Sequence, residues 1–512
     1  MQTGISPYTS AMSWSLFLMV FSCILLSLVA LLLGRALLLR RRDPLSLGTK
    51  PETPPDSEAL ISRFQRAIAI PTMSHSEYSR NDEDRFAEFQ DFLQWEFADL
   101  LADCEIERFG VYGITIRWPA RGVSEYLPLL YTAHYDVVPV EGQEWTYPPF
   151  EARRAEGYVW GRGTLDTKNS LMALLEAAAR LHADGFVPSR DIWFAFAGDE
   201  ETSSLRGART MARWFEERGI RFAWVFDEGG IIAENMVPGV RGNAALVGVA
   251  EKGYANILLE AEDSGGHSSS PGSRTALGRV SRAVDRLERG PRPSSIPPTM
   301  KRFFIRSAPY MGFGLKLVMA NLWLFAPLVK IILSQKDSTR AMLHSTIAPT
   351  MAGASDVENI LPTRAWAVIN VRLAPGEQIP LMLTRFRRII ADESVRVSLQ
   401  NEDDANEAVV PPQGGGTDAF LHSVERALGD STPLLAALPY LMTGATDSKY
   451  YAHLADEVYR FVPMLLNSRE LELLHAPDER ISEANYFRMV GFYARHLQHA
   501  AGAPGENTGV SQ

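Results

Sequence analysis

Residues 129–140 read LLYTAHYDVVPV, an apolar run that ends on His134 and Asp136. A buried strand excludes an imidazole and a carboxylate unless each finds a partner. Either the strand surfaces into solvent there, or its end is a site. Two more short, β-rich apolar runs end the same way. DIWFAFAGDEE (191–201) closes on Glu200 and Glu201, and FAWVFDEGG (222–230) carries Asp227 and Glu228. Between the first run and these lies NSLMALLEAAARLHADG (169–185), with helical periodicity and Gly185 at its end. Apolar strands alternating with helices predict an α/β fold with a mixed, mostly parallel sheet flanked by helices. In such sheets chemistry gathers beyond the carboxyl ends of the strands.

The texture changes from about residue 246. ALVGVAEKGYANILLEAE (245–262) and RAWAVINVRLAP (364–375) alternate like antiparallel strands around the helical TALGRVSRAVDRLER (275–289). The chain therefore divides into a first catalytic α/β part (58–245), an inserted α+β lid or dimerisation domain (246–400) and a second catalytic part (401–500). A disordered tail (501–512) follows. Inside the insert, GFGLKLVMANLWLFAPLVKIIL (312–333) is apolar but interrupted by Lys316, Asn321, Pro327 and Lys330. It reads as a hairpin that covers a site, packs on a partner or rests on a bilayer, rather than as a membrane span.

At the other end, WSLFLMVFSCILLSLVALLL (14–33) carries no charge over a length of about 30 Å as a helix, enough to cross a bilayer. Without a basic leading region or a cleavage site it reads as a transmembrane anchor within 1–42, followed by a Pro-rich linker (43–57). Arg35, Arg40, Arg41 and Arg42 all follow it, so the positive-inside rule puts the catalytic domain in the cytoplasm. The net charge of −10 excludes a nucleic-acid partner. Cys23 and Cys104, the only cysteines, exclude a disulfide framework and a thiolate metal site.

The polar clusters then ask for a common purpose. Asp166 sits in the Gly-rich WGRGTLDTKNS (160–170), and His475 in LELLHAPDERIS (471–482). Imidazole and carboxylate without thiolate suit a catalytic zinc or a similar divalent ion. Two such ions need a bridging carboxylate and a terminal histidine and carboxylate each.

The order HYD, GRGTLDTK, GDEE, DEGG, GHSSSPG, NVR and HAPDE resembles the zinc-dependent aminoacylase and carboxypeptidase family of metallopeptidases. That family also holds acetylornithine deacetylase and succinyl-diaminopimelate desuccinylase. NLWLFAPL (321–328) resembles its carboxypeptidase S branch in particular. The resemblance implies two zinc ions and a homodimer. It makes His134 a ligand of the first metal, Asp136 the carboxylate that orients it, and Asp166 the bridge. It also makes Glu200 the general base, Glu201 a terminal ligand and His475 the terminal histidine on the second metal. The remaining carboxylate is Glu228 or Asp227, with Glu228 favoured. His267 in GGHSSSP resembles the histidine that reaches a neighbouring subunit's site and stabilises the oxyanion. Arg372 and Asn359 resemble the pair that holds a substrate α-carboxylate, and a guanidinium fork suits that task. Gly444 and Thr446 of GATDSKYY resemble the loop lining the substrate pocket.

The expected activity is hydrolysis of an amide bond beside a free carboxylate, in an N-acyl amino acid or at a peptide's C-terminus. The rival from another class is an inactive member of the family that binds or scaffolds without turnover. A serine hydrolase is excluded by the lack of a G-x-S-x-G elbow.

Overall fold

The computed structural model describes residues 7–40, 53–202, 204–411, 416–429 and 434–502. Arg41, Arg42, most of the expected linker and all but the start of the expected tail lie outside these residues.

The largest layer is a ten-stranded mixed sheet. Its middle is parallel: Leu129–His134 lies between Ile192–Ala197 and Phe222–Asp227, and Ala455–Arg460 runs parallel to the last of these. Glu105–Arg108 and Gly113–Trp118 add an antiparallel edge. The strands Leu129–His134 and Ile192–Ala197 are buried at every residue. Both faces are covered, which is why they read as continuous apolar runs rather than alternating ones. Alternate residues serve opposite layers. Leu129, Tyr131, Phe194 and Phe196 pack with residues of the helices Lys168–Ala183 and Glu483–Ala501. Leu130, Trp193 and Ala195 pack under the helix Ala208–Glu217. This is the expected α/β arrangement.

A second, four-stranded sheet is wholly antiparallel, in the order Thr346–Gly353, Arg364–Leu373, Gly253–Glu262, Val395–Leu399. Helices Ala276–Arg289 and Ile379–Ile390 close its core, with Val280, Leu287, Met382 and Phe386 buried against the strands.

The change of sheet falls later than residue 246. Asn243–Glu251 belongs to the large sheet, antiparallel to Ala455–Arg460 and parallel to Ala436–Met442. Residues 296–343 also pack on this part of the large sheet rather than on the small one. The physical reason is that Asn243–Glu251 and Gly253–Glu262 are separated by Lys252 alone, with no turn residues to mark the crossing. Lys252 is buried, and its Nζ donates to the carbonyls of Ala341 (2.9 Å) and His344 (2.9 Å). Returning chain runs alongside: Tyr254 and Asn406 exchange backbone hydrogen bonds of 2.9 and 2.8 Å, and the Glu251 amide donates to Val409.

The N-terminal helix spans Pro7–Leu38, and its segment Leu16–Leu38 is long and apolar enough to cross a membrane. It is exposed along most of its length and meets the rest of the chain near its C-terminal end, where Ala36 is buried.

Candidate metal centre

Three strands and two loops deliver the cluster. His134 is the last residue of its strand and is almost fully buried. Its Nδ1 lies 3.0 Å from the Asp136 carbonyl and 3.3 Å from the Asp136 carboxylate. Its Nε2 therefore points outward, 3.1 Å from Asp166 Oδ1 and 3.3 Å from Glu228 Oε1. A carboxylate behind an imidazole fixes the tautomer and leaves the other nitrogen free to ligate.

Asp136 has a second task. Its Oδ1 accepts from the Glu200 amide (3.1 Å), and its Oδ2 accepts from the Glu201 amide (3.1 Å) and the Ser74 hydroxyl (2.7 Å). One fully buried carboxylate thus ties the first strand end to the loop after the second.

Asp166 lies between the two histidines. Its Oδ1 faces His134, and its Oδ2 is 2.9 Å from His475 Nε2. The loop that presents it turns at Gly163, whose φ of +90° suits glycine and whose absent Cβ would meet Val137 at 2.9 Å. Glu479 holds this loop from beneath. Its Oε1 accepts from the amides of Gly163, Leu165 and Asp166, and its Oε2 from Arg162 Nη1 at 2.5 Å. Both charged side chains are buried. Glu201 completes the far side, with Oε1 3.1 Å from His475 Nε2.

Two groups result, His134–Asp166–Glu228 and Asp166–Glu201–His475, each with its ligand atoms within 4.8 Å of one another. Asp166 belongs to both. Burial raises the carboxyls of Glu201 and Glu228, the latter to about 8, and the neighbouring charge of Asp166 pushes both further. Hydrogen bonds to Asp166 and Glu201 lift the His475 imidazole to about 10. Desolvation opposes charge on His134, yet the carboxylates of Glu228, Asp136 and Asp166 together raise it well above the histidine range. So much negative charge at this spacing favours cations. The donor set, two imidazoles and three carboxylates without a thiolate, fits divalent metal ions.

Glu200 lies beside the cluster, on the Asp136-anchored loop. Burial pushes its carboxyl well above the usual range, and the charges of Glu228, Asp447 and Glu201 act in the same sense, against His134. Asp227 is drawn away from the cluster. Its Oδ1 accepts from the Glu228 amide (2.9 Å) and its Oδ2 from the Ser448 amide (2.8 Å). The structure therefore brings Glu228, and not Asp227, to the histidine.

The remaining candidates lie on or near the small sheet. His267 and Asn359 are neighbours on an exposed rim, where Gly266–His267 pairs with Ile360–Leu361 and Ser268 donates to the Asn359 carbonyl (3.0 Å). Neither joins the metal groups. Arg372 is half-buried, its guanidinium 4.7 Å from the centre of the Tyr254 ring. Among the described residues no carboxylate lies within ion-pair distance of it. Lys449 approaches the same ring at 5.7 Å, which brings the GATDSKYY loop to Arg372. Gly444 borders open space, while Thr446 is buried and engages Glu251 (3.3 Å) and Ser448 (2.6 Å).

The sequence reading missed several supporting residues. Asp199 of GDEE is buried and accepts from Tyr78 and from the amides of Arg206 and Gly207. Glu251 and Arg460 form a fully buried pair at 2.6 Å. Arg162 and Glu479 stand inside motifs already singled out, GRG and HAPDE, and a charge in each was the available signal.

The chain matches the family model described as "Peptidase family M20/M25/M40" over residues 130–499. It is 32% identical over 448 residues to the N-fatty-acyl-amino acid synthase/hydrolase PM20D1 of Xenopus tropicalis, covering 87% of this chain and 86% of that one. It is 33% identical to the probable carboxypeptidase S-like 2 of Dictyostelium discoideum, covering 85% and 83%. Among solved structures, the M20 family metallo-carboxypeptidase Sso-CP2 of Sulfolobus solfataricus superposes with a TM-score of 0.59 at 16% identity. It covers 87% of this chain and 99% of that one. The di-peptidase Dug1p of Saccharomyces cerevisiae gives the same TM-score at 15% identity, over 88% and 97%. These two show the fold.

Proposed function

The chain belongs to peptidase family M20/M25/M40, and from that we propose that it is a membrane-anchored, two-metal amidohydrolase cleaving an amide bond beside a free carboxylate. Within that class it acts as a carboxypeptidase S-like exopeptidase or an N-acyl-amino-acid hydrolase, in keeping with the names its relatives carry.

The observation that carries this reading is the Asp166 carboxylate, with one oxygen 3.1 Å from His134 and the other 2.9 Å from His475. A carboxylate so placed, with Glu228 on one side and Glu201 on the other, is what a pair of divalent ions needs. Histidine and carboxylate ligands without thiolate favour zinc. When bound, the ions supply the positive charge that polarises an amide carbonyl and acidifies a water.

The chain's own residues do the rest. Glu200 is held by its backbone to Asp136 and is no part of either ligand group, so it is free to take a proton from water and return it to the leaving amine. Arg372, resting on Tyr254 with no carboxylate in ion-pair distance among the described residues, receives the substrate carboxylate, with Asn359 as its companion. Gly444 and Thr446 line the pocket. His267, remote from the ligand groups, hydrogen-bonds the developing oxyanion of a second subunit's site in a homodimer. The N-terminal helix holds the enzyme at the membrane, and Arg35 and Arg40 at its end favour a cytoplasmic catalytic domain.

The deciding experiment is chelation, then metal restoration, assayed on a panel of N-acyl amino acids and dipeptides with free or amidated carboxylates. Activity should vanish, return with zinc or cobalt, and require the free carboxylate. Chelator-insensitive hydrolysis would refute the metal reading, and equal cleavage of the amidated panel would refute the role of Arg372.

A further inference from the structure

The segment 312–336 has no part in the site described above, yet it is the most apolar surface outside the N-terminal helix. It forms two short helices, Phe313–Ala320 and Leu322–Leu333, bent 114° apart at Asn321. Leu322 and Val329 face the core beside the large sheet. The other side of the second helix carries Leu324, Leu328, Ile331 and Ile332, all exposed at helical spacing, with Ile331 at 63%. Trp323 at the corner is 56% exposed. From Gly312 to Lys336 there is no acidic residue, and the charges are Lys316, Lys330 and Lys336. Such a face exceeds what a water-exposed surface normally tolerates.

Its position says what covers it. The corner is bonded to the N-terminal helix in both directions: Asn321 Nδ2 donates to the Leu32 carbonyl (3.0 Å), and Arg35 Nε donates to the Ala320 carbonyl (3.1 Å). Leu32 stands six residues before the end of the apolar segment at Leu38, about 9 Å along the axis. With eight and twelve residues, neither short helix is long enough to span a bilayer.

We infer that this corner is a monotopic membrane element that lies in the outer part of one leaflet beside the N-terminal helix, its apolar face in the acyl chains. An interfacial helix sinks by about 5–10 Å, which matches the depth set by Leu32. The indole of Trp323 suits the headgroup boundary. Lys316 and Lys336 add positive charge suited to anionic headgroups, while Lys330 Nζ donates to the Ser294 carbonyl (3.3 Å). The partner is lipid, and the enzyme is seated on the bilayer at two points instead of hanging from one. This inference rests on the reading of the N-terminal helix as a membrane anchor.

The test is carbene photolabelling of the full chain in phosphatidylcholine vesicles with a lipophilic diazirine, read by peptide mass spectrometry. Peptides containing Trp95 and Leu381, exposed apolar residues elsewhere, set the background. Peptides from 313–333 should be labelled about tenfold or more above it. The triple variant Leu324→Glu, Leu328→Glu, Ile331→Glu should return them to background, because a charge at acyl-chain depth costs about tenfold or more in partitioning. These side chains are exposed, and retained hydrolysis reports that the variant is folded; if it is not, the wild-type pattern alone decides. Background labelling at 313–333 with strong labelling at 16–38 overturns this inference and leaves the anchor standing. Background labelling at both segments overturns both.

Discussion

The carboxyl end of the large sheet and the rim of the small sheet both carry charged candidates, but they are held in opposite ways. His134, Asp136 and Asp166 are packed among partners that account for most of their polar atoms. Their supports, Glu479 and Arg162, are themselves buried and paired. His267 and Asn359 are exposed at a separate two-stranded pairing, and Arg372 on the small sheet rests on a ring with no carboxylate in ion-pair distance among the described residues. The first region is assembled by one chain alone. The second is left open. Preorganisation is spent where charge has to be held at fixed distances, and openness is kept where a ligand has to enter.

Mutations should separate the two regions. The largest effect is expected from Asp166→Ala, which removes a ligand from both groups. Metal analysis should show both ions lost and hydrolysis at background; retention of two ions would dissolve the idea of a shared bridge. Glu200→Gln should keep the metal content and lower kcat by about 10²–10⁴-fold, the usual worth of a general acid–base group. A variant that keeps near-normal kcat would remove Glu200 from that role. Arg372→Lys, on the small sheet, should raise KM about ten- to a hundredfold for substrates with a free carboxylate, with kcat nearly kept. An equal rise for amidated substrates would point to a structural role instead.

The smallest effect concerns stability. His496, buried against Tyr131 (2.9 Å), has its imidazole pushed down to about 3 by burial. The unfolded chain binds that proton near pH 6.5, so the folded state loses stability as pH falls from 6.5 towards 3. The unit below 6.5 should cost about 1 kcal/mol. Denaturant melts at pH 6.5 and 5.5 check this, and His496→Gln should flatten the difference. An unchanged slope would mean the ring is charged in the native state.

The same contrast explains what the sequence made legible. Polar residues that end apolar runs are visible because a buried strand has no other use for them, so His134, Glu200, Glu201 and Glu228 stood out. Choosing between Asp227 and Glu228 needed the backbone, since only the position of the Ser448 amide shows that Asp227 is occupied. Glu479 and Arg162 were hidden because their partners are more than 300 residues apart in sequence, and a buried pair looks like any two surface charges. The passage from one sheet to the other at Lys252 was invisible for a different reason. Both strands continue the same apolar pattern, and the chain changes sheets without a turn.

That passage has a mechanical consequence. The outgoing segment at Lys252 is bonded to the loop at Ala341–His344, and Tyr254, two residues on, to the returning chain at Asn406. A hinge at this passage would have to bend these hydrogen bonds. Tyr254, two residues beyond, would move as the short arm of the lever, and Arg372 on its ring would travel with it.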